Sequence, residues 1–327
     1  MSGDAVDRAV GEGWTTEHLP SQAGRRALIT GANSGIGYQT ALELARTGAH
    51  VLLACRNRQR GDAALERLCA EVPGASAEVV LLDLASLESV CAFGAAELGL
   101  GKPLDLLIND AGVMAPRTRQ QTADGFEAQF GTNVLGHFVL TAVLLPALVR
   151  AAAAHPQRPR VVTVASIAHK QGQLDFDDLQ SVANYKPMAA YRQSKLANLM
   201  LAFELDRRLR VAASPISGVM SVAAHPGVAN TPLFQSGEFS AVERVVRRGL
   251  GVAIGALLNS DAEGALPTLF AATAPDAVDG GYYGPQGFQE MRGGDVGVAK
   301  VAAPALDRRA AARLWSECER LTGVSLL

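Results

Sequence analysis

"RRALITGANSGIG", residues 25–37, is the stretch on which the fold turns. A short apolar run, Ala27-Leu28-Ile29, stops at Gly31, and a helical pattern, "IGYQTALELARTG", starts five residues later. Strand, glycine-rich turn and helix in that order form the opening of a βα unit. Glycines at 31, 35 and 37 let the chain turn sharply, and they let a phosphate approach the amides at a helix N-terminus. Their spacing is G-x-x-x-G-x-G, which differs from the commoner dinucleotide pattern G-x-G-x-x-G.

The alternation continues outward from this turn. "HVLLACR", "AEVVLLDL", "LDLLIND", "RVVTVAS" and "GVMSVAAHPG" read as further strands, with "GGYYG" as a short seventh. Between them lie helical patterns at "GDAALERLCAEV", "SLESVCAFGAAEL", 123–153 and 189–210, and a last one at 307–322. Strands that are apolar throughout and separated by helices predict a parallel sheet covered on both faces. The expected fold is therefore α/β: a single-domain, doubly wound, Rossmann-type sheet of about seven strands, with ligands at the carboxyl ends of the strands. Residues 1–23 read as an N-terminal extension and 24–327 as one domain. Irregular insertions are expected near 167–190 and 230–265.

The bulk numbers set limits on function. The chain has 327 residues, 48% hydrophobic and 19% charged, with a net charge of −2, which suits a globular protein with a large core. A balance so near neutral argues against a nucleic-acid partner, and the basic run from Arg56 to Arg60 is too short to overturn that. Cys55, Cys69, Cys91 and Cys318 lack C-x-x-C spacing and follow no secretory signal, so reduced thiols and a cytoplasmic setting are expected. The most apolar stretch, 134–149, is short and carries Gly136, His137 and Pro146, so a buried helix is expected there and no membrane span.

"AYRQSKLAN", residues 190–198, carries the chemistry. Tyr191 and Lys195 are spaced i, i+4 and so share one helix face. An ammonium beside a phenol favours the phenolate and lowers a pKa that is ordinarily about 10. The expectation is a tyrosine able to exchange a proton near neutral pH. At the end of the second strand an NAD site would place a carboxylate. Here the strand ends "LLACRN", with Arg56 and no acid before Asp62, which suits the 2′-phosphate of NADP(H). His137, His169 and His225 lack metal-ligand companions at suitable spacing and are read as structural, with no metal site expected.

Taken together, "TGANSGIG", "LLDL", "NDAG", "GTNVLGHF", "VTVAS", "YRQSK" and "HPG" occur in an order that resembles the short-chain dehydrogenase/reductase family, over nearly all the chain after residue 23. "LACR", "TADGFEAQFGTNVLGHF", "LDFDDLQ" and "AYRQSKLAN" look like its retinol-dehydrogenase-like and protochlorophyllide-reductase-like branch, which includes many bacterial oxidoreductases. The resemblance implies Tyr191 as proton donor or acceptor and Lys195 as the group that tunes it and holds the nicotinamide ribose. It implies Ser166 as a hydrogen-bond partner of the substrate oxygen and Asn133 in a water-linked proton relay. Cofactor contacts are implied at Gly31, Asn33, Ser34, Gly35, Ile36 and Gly37, at Arg56 and Asn57, and at Asp83 and Leu84. Further ones fall on Asn109, Ala111 and Gly112, and on Pro226, Gly227, Val228 and Thr231. The family's N-N-A-G is here Asn109-Asp110-Ala111-Gly112, and the aspartate is expected to be a tolerated change supporting the sheet.

The function expected is hydride transfer between NADP(H) and a hydrophobic ketone, aldehyde or alcohol, in a homodimer or homotetramer paired through 123–153 and 189–210, or in a monomer. Rival readings are a catalytically silent NADP-binding sensor or scaffold, a nucleotide-sugar epimerase or dehydratase, and light-dependent pigment reduction.

Overall fold

The computed structural model describes residues 13–228, 259–293 and 295–327. An eight-stranded sheet runs through the molecule in the order β3-β2-β1-β4-β5-β6-β7-β8. Its strands are β1 (Arg26–Thr30), β2 (His50–Cys55), β3 (Ala77–Leu81), β4 (Leu106–Asn109), β5 (Arg160–Val164), β6 (Met220–Ala224), β7 (Tyr282–Pro285) and β8 (Val296–Val298). All neighbours pair in parallel except β7 and β8, which are antiparallel. β8 is one strand more than the sequence predicts, because three residues at a sheet edge carry too little pattern to read.

The helices are α1 (Gly35–Arg46), α2 (Arg58–Glu71), α3 (Leu87–Gly99), α4 (Ala128–Ala154), α5 (Pro187–Val211), α6 (Asp261–Thr273) and α7 (Arg308–Thr322). Successive residues of each central strand face opposite sides, and each side is a separate core. Leu28, Leu52, Leu107 and Val161 pack with Phe138, Leu144, Leu196 and Trp315 under α3, α4, α5 and α7. Ile29, Leu53, Ile108 and Val162 pack with Leu42, Leu68 and Phe270 under α1, α2 and α6. Burial on both faces is why these strands are apolar at every position. β3, at the edge, departs from that rule, and its Leu81 is 52% exposed.

One expectation needs correction. α6 begins inside the stretch expected to be irregular, started by a capping box in which the Ser260 hydroxyl accepts from the Glu263 amide and Glu263 accepts from the Ser260 amide. The apolar stretch at 134–149 belongs to a longer helix, Ala128–Ala154, that is long and apolar enough by length and composition to cross a membrane. As expected of a buried helix, 72% of its most apolar window is covered by the rest of the fold. The last helix packs on α4 and α5: Trp315 of α7 stands edge-on to Phe138 at 5.1 Å and lies under Arg208.

Candidate active site

The order of strands reverses between β1 and β4, and a cleft opens there at the carboxyl ends of the strands. Its volume is about 600 Å³, within the range of pockets that take an organic ligand. One end is made by backbone turns. Gly31, Asn33, Ser34, Gly35 and Ile36 line it. Gly31 holds a φ of 72°, in the left-handed region, and a Cβ there would press on Ala111 at 3.1 Å. Ser34, at the head of α1, makes no side-chain cap, so the first amides of that helix keep their donors for an anion. Gly37 lies behind this turn rather than on the cleft wall. A Cβ on it would sit 2.8 Å from the Gly31 carbonyl oxygen and 2.8 Å from Asp110 Oδ2.

At the end of β2, Arg56 lines the cleft together with Arg60, one turn into α2, a residue that the sequence reading did not single out. Both are cations near a turn that presents amides to a phosphate. Asn57 does something else: its Oδ1 accepts from the Arg60 amide and caps α2. Asp83 and Leu84 line the cleft at the end of β3, with Asp83 Oδ1 accepting from the Ala85 amide. Ala111 and Gly112 line it too, but the Asn109 side chain is turned into the core, where Nδ2 donates to Thr141 Oγ1 at 3.2 Å. Asn109 and Asn57 are thus both side-chain clamps in the framework.

The other end is made by side chains. Ser166 lies just beyond β5 and caps the following 3-10 turn, its Oγ accepting from the Ala168 amide at 3.1 Å. Tyr191 and Lys195 reach the same cleft from one face of α5, as their spacing predicts. The Lys195 ammonium lies 6.0 Å from the centre of the Tyr191 ring and donates to the Val164 carbonyl at 2.9 Å. Pro226, Gly227 and Val228 close the wall after β6. Gly227 has a φ of 70°, and a Cβ there would stand 2.5 Å from the Met291 carbonyl oxygen. Thr231 lies outside the described residues.

The acidity expected of Tyr191 is not what this geometry gives. Burial pushes its phenol up to about 12; the hydrogen bond with Ser166 pulls it down and the Asp110 charge pushes it up. Lys195 is itself pushed below its ordinary value by burial, and the nearby Asp110 acts against that. Helical spacing shows that the two side chains meet, while the shift depends on how deeply they are buried. Tyr191 therefore keeps its proton at neutral pH in this state.

Asp110 is more than a support for the sheet. Its carboxyl lines the cleft, accepts a hydrogen bond from the Gly37 amide and interacts electrostatically with Lys195. Burial raises its pKa and the Lys195 charge opposes that rise. The signal in the sequence was an acid at the end of a central strand, directly before two small residues. Asn133 is fully buried in a single π-helical turn, Gly131–Leu135. Its amide accepts from the Val113 N–H at 2.8 Å and donates to the Val113 carbonyl and to Ser194 Oγ, both at 3.0 Å. The side chain so pins the 111–113 loop to α5, and it does not reach the cleft. His137 and His225 are buried and held near 4 and near 3, hence neutral, and His169 is also pushed down by burial.

A family model for short chain dehydrogenases matches residues 25–238. A polyprenol dehydrogenase of Mus musculus is 42% identical over 306 residues, covering 93% of this chain and 86% of its own. Retinol dehydrogenase 13 of Homo sapiens is 39% identical over 317 residues, with 93% and 87% covered. Among solved structures, an uncharacterized protein from Mycobacterium paratuberculosis superposes with a TM-score of 0.75 at 39% identity, covering 96% of this chain and 99% of that one.

Proposed function

The chain belongs to the short-chain dehydrogenase family, in its retinol-dehydrogenase-like branch, and from that premise we propose that it is an NADP(H)-dependent oxidoreductase of hydrophobic carbonyl compounds and the corresponding alcohols. One observation carries this reading. Ser166, Tyr191 and Lys195 converge at one end of a cleft whose other end offers an uncapped helix N-terminus and two arginines.

The residues present fit a dinucleotide. The Gly31–Ile36 turn and the α1 amides would hold its pyrophosphate, Asp83 and Leu84 would flank the adenine side, and Arg56 with Arg60 would pair a 2′-phosphate. When bound, the nicotinamide supplies the hydride. The protein's part is to place and protonate the oxygen. Tyr191, still carrying its proton at neutral pH, is set to donate it to a developing alkoxide, and the Ser166 hydroxyl offers that oxygen a second donor. The buried Lys195 ammonium keeps a positive charge close to the phenol as that proton leaves. A phenol held above its ordinary value is matched to reduction of the carbonyl, since it enters the step as an acid.

The substrate end supports an apolar ligand: Val113, Met114, Ile167, Ala168 and Met188 line it. The test follows cofactor absorbance with NADPH and with NADH over a panel of ketones and aldehydes. The expected result is NADPH-dependent turnover that favours carbonyls on apolar chains over small polar ones, falling by about 10²–10⁴ in Tyr191→Phe. Binding of NADPH with no turnover on any member of the panel would instead establish the silent-sensor alternative.

A further inference from the structure

Lys195 is not the only cation on the α5 wall of the cleft. Arg192 follows Tyr191 directly, and its half-buried side chain also lines the cleft. Met188, one turn earlier on the same helix face, stands beside it. The segment after Ser166 closes against this point: a Cβ on Gly172 would lie 2.6 Å from the Arg192 carbonyl oxygen. Arg192 therefore sits at the substrate end, on the same lining as Ile167, Ala168, Gln171 and Met188.

Among the described residues the Arg192 guanidinium makes no hydrogen bond and no ion pair. The other arginines near this part of the chain do: Arg160 donates to the carbonyls of Ala271 and Ala274, and Arg207, Arg208 and Arg210 pair with Glu204 or Asp206. Among the described residues, the two acids that line the cleft are engaged elsewhere. Asp83 binds the Ala85 amide beyond β3, and Asp110 binds the Gly37 amide behind the glycine turn. A guanidinium partly withdrawn from water and left without a partner is an unfavourable arrangement that an anion relieves. Its planar fork of donors matches a carboxylate in two parallel hydrogen bonds.

We propose that Arg192 anchors a carboxylate on the substrate, so that the site takes amphipathic carbonyl compounds whose apolar chain bears an acid group. This rests on the hydride-transfer reading of the cleft. A monoanion matches one guanidinium in charge better than a phosphate does. Among the described residues the other cleft cations are Lys195, committed to the Val164 carbonyl, and Arg56 and Arg60 at the dinucleotide end. The proposal sets this chain apart from relatives named for polyprenol and retinol, which are neutral alcohols.

The experiment compares ω-oxo fatty acids with their methyl esters at matched chain length, using NADPH and the wild-type chain, Arg192→Gln and Arg192→Lys. In the wild type, KM for the acid is expected to fall below that for the ester by about ten- to a hundredfold. The ratio should narrow at high salt. In Arg192→Gln it should collapse toward one, and Arg192→Lys should restore part of it. Because the ratio is taken within each protein, a general loss of activity cancels, and the salt series on the wild type stands even where a variant does not fold. A wild-type ratio of one, or an unchanged ratio in Arg192→Gln, overturns the assignment to Arg192 while leaving the oxidoreductase reading intact. No oxidation of NADPH by acids or esters overturns both.

Discussion

The two ends of the cleft are built from different materials. The dinucleotide end is backbone: a turn after β1, the uncapped head of α1, and the short connections after β2, β3 and β4. The carbonyl end is side chains, carried by α5, the 3-10 turn after Ser166 and the Pro226–Val228 corner. Backbone geometry is dictated by a few glycines and strand ends, so it tolerates change at most positions and none at a few. Side-chain geometry can be retuned one residue at a time. A fold that keeps its cofactor end fixed and its substrate end adjustable can change what it reduces without changing how.

The sharpest way to break that comparison is to disturb one backbone contact and one side chain in parallel. Gly37→Val places a branched side chain where even a Cβ would stand 2.8 Å from the Gly31 carbonyl oxygen. That oxygen belongs to the turn itself and cannot move without deforming it. NADPH binding, read by titration of the reduced-nicotinamide fluorescence, should weaken by about a hundredfold or more, which corresponds to the ~3 kcal/mol that such overpacking costs. Met188→Ala at the other end should leave NADPH binding within about twofold, since an exposed side chain changes little beyond its own contacts. Equal losses of NADPH affinity in the two variants would mean the ends are not separable.

A smaller effect is expected where a side chain takes part at the dinucleotide end. Arg56→Asp replaces a cation that lines the cleft beyond β2 with the acid typical of NAD sites. The preference for NADPH over NADH, measured as a ratio of kcat/KM, should fall by about ten- to a hundredfold. Arg60, on the same wall, should keep part of it. An unchanged ratio would remove Arg56 from the phosphate site.

The same division explains what could be read in the sequence. The βα alternation and the glycine turn were legible because strands buried on both faces must be apolar throughout and a sharp turn must use glycine. The Tyr191–Lys195 face was legible because helical spacing is fixed. α6 was missed: Gly264 and Pro267 interrupt its pattern, and its one clear signal was the capping pair Ser260 and Glu263. β8 was missed as a three-residue edge strand. Asn57 and Asn109 carry residue types that suit ligand contacts, but their direction depends on a helix cap and on Thr141, which lies 32 positions away in the chain. The direction of the Tyr191 shift was read wrongly for the same kind of reason. A neighbour's charge can be inferred from spacing, whereas burial comes from the whole fold.

Asp110 joins the two ends, and the smallest predicted effect tests that link. Its carboxyl touches the glycine turn through the Gly37 amide and faces Lys195 across the cleft floor, with Asp261 as the other charge acting on it. The Asp110 charge supports the Lys195 ammonium against burial and pushes the Tyr191 phenol up. Asp110→Asn keeps the size of the side chain and removes that charge. Lys195 should then lose its proton more readily, and Tyr191 should lose its own more readily as well. The proposed carbonyl reduction needs Tyr191 protonated and Lys195 charged, so on that reading both changes cut activity from the alkaline side. The alkaline limb of the kcat/KM profile should move to lower pH, by about one pH unit for a charge removed at this range inside a protein. Near pH 6 the variant should stay within a few-fold of the wild type. An alkaline limb that does not move would show that the Asp110 charge is not felt at Tyr191 and Lys195, and the two ends of the cleft would then work independently.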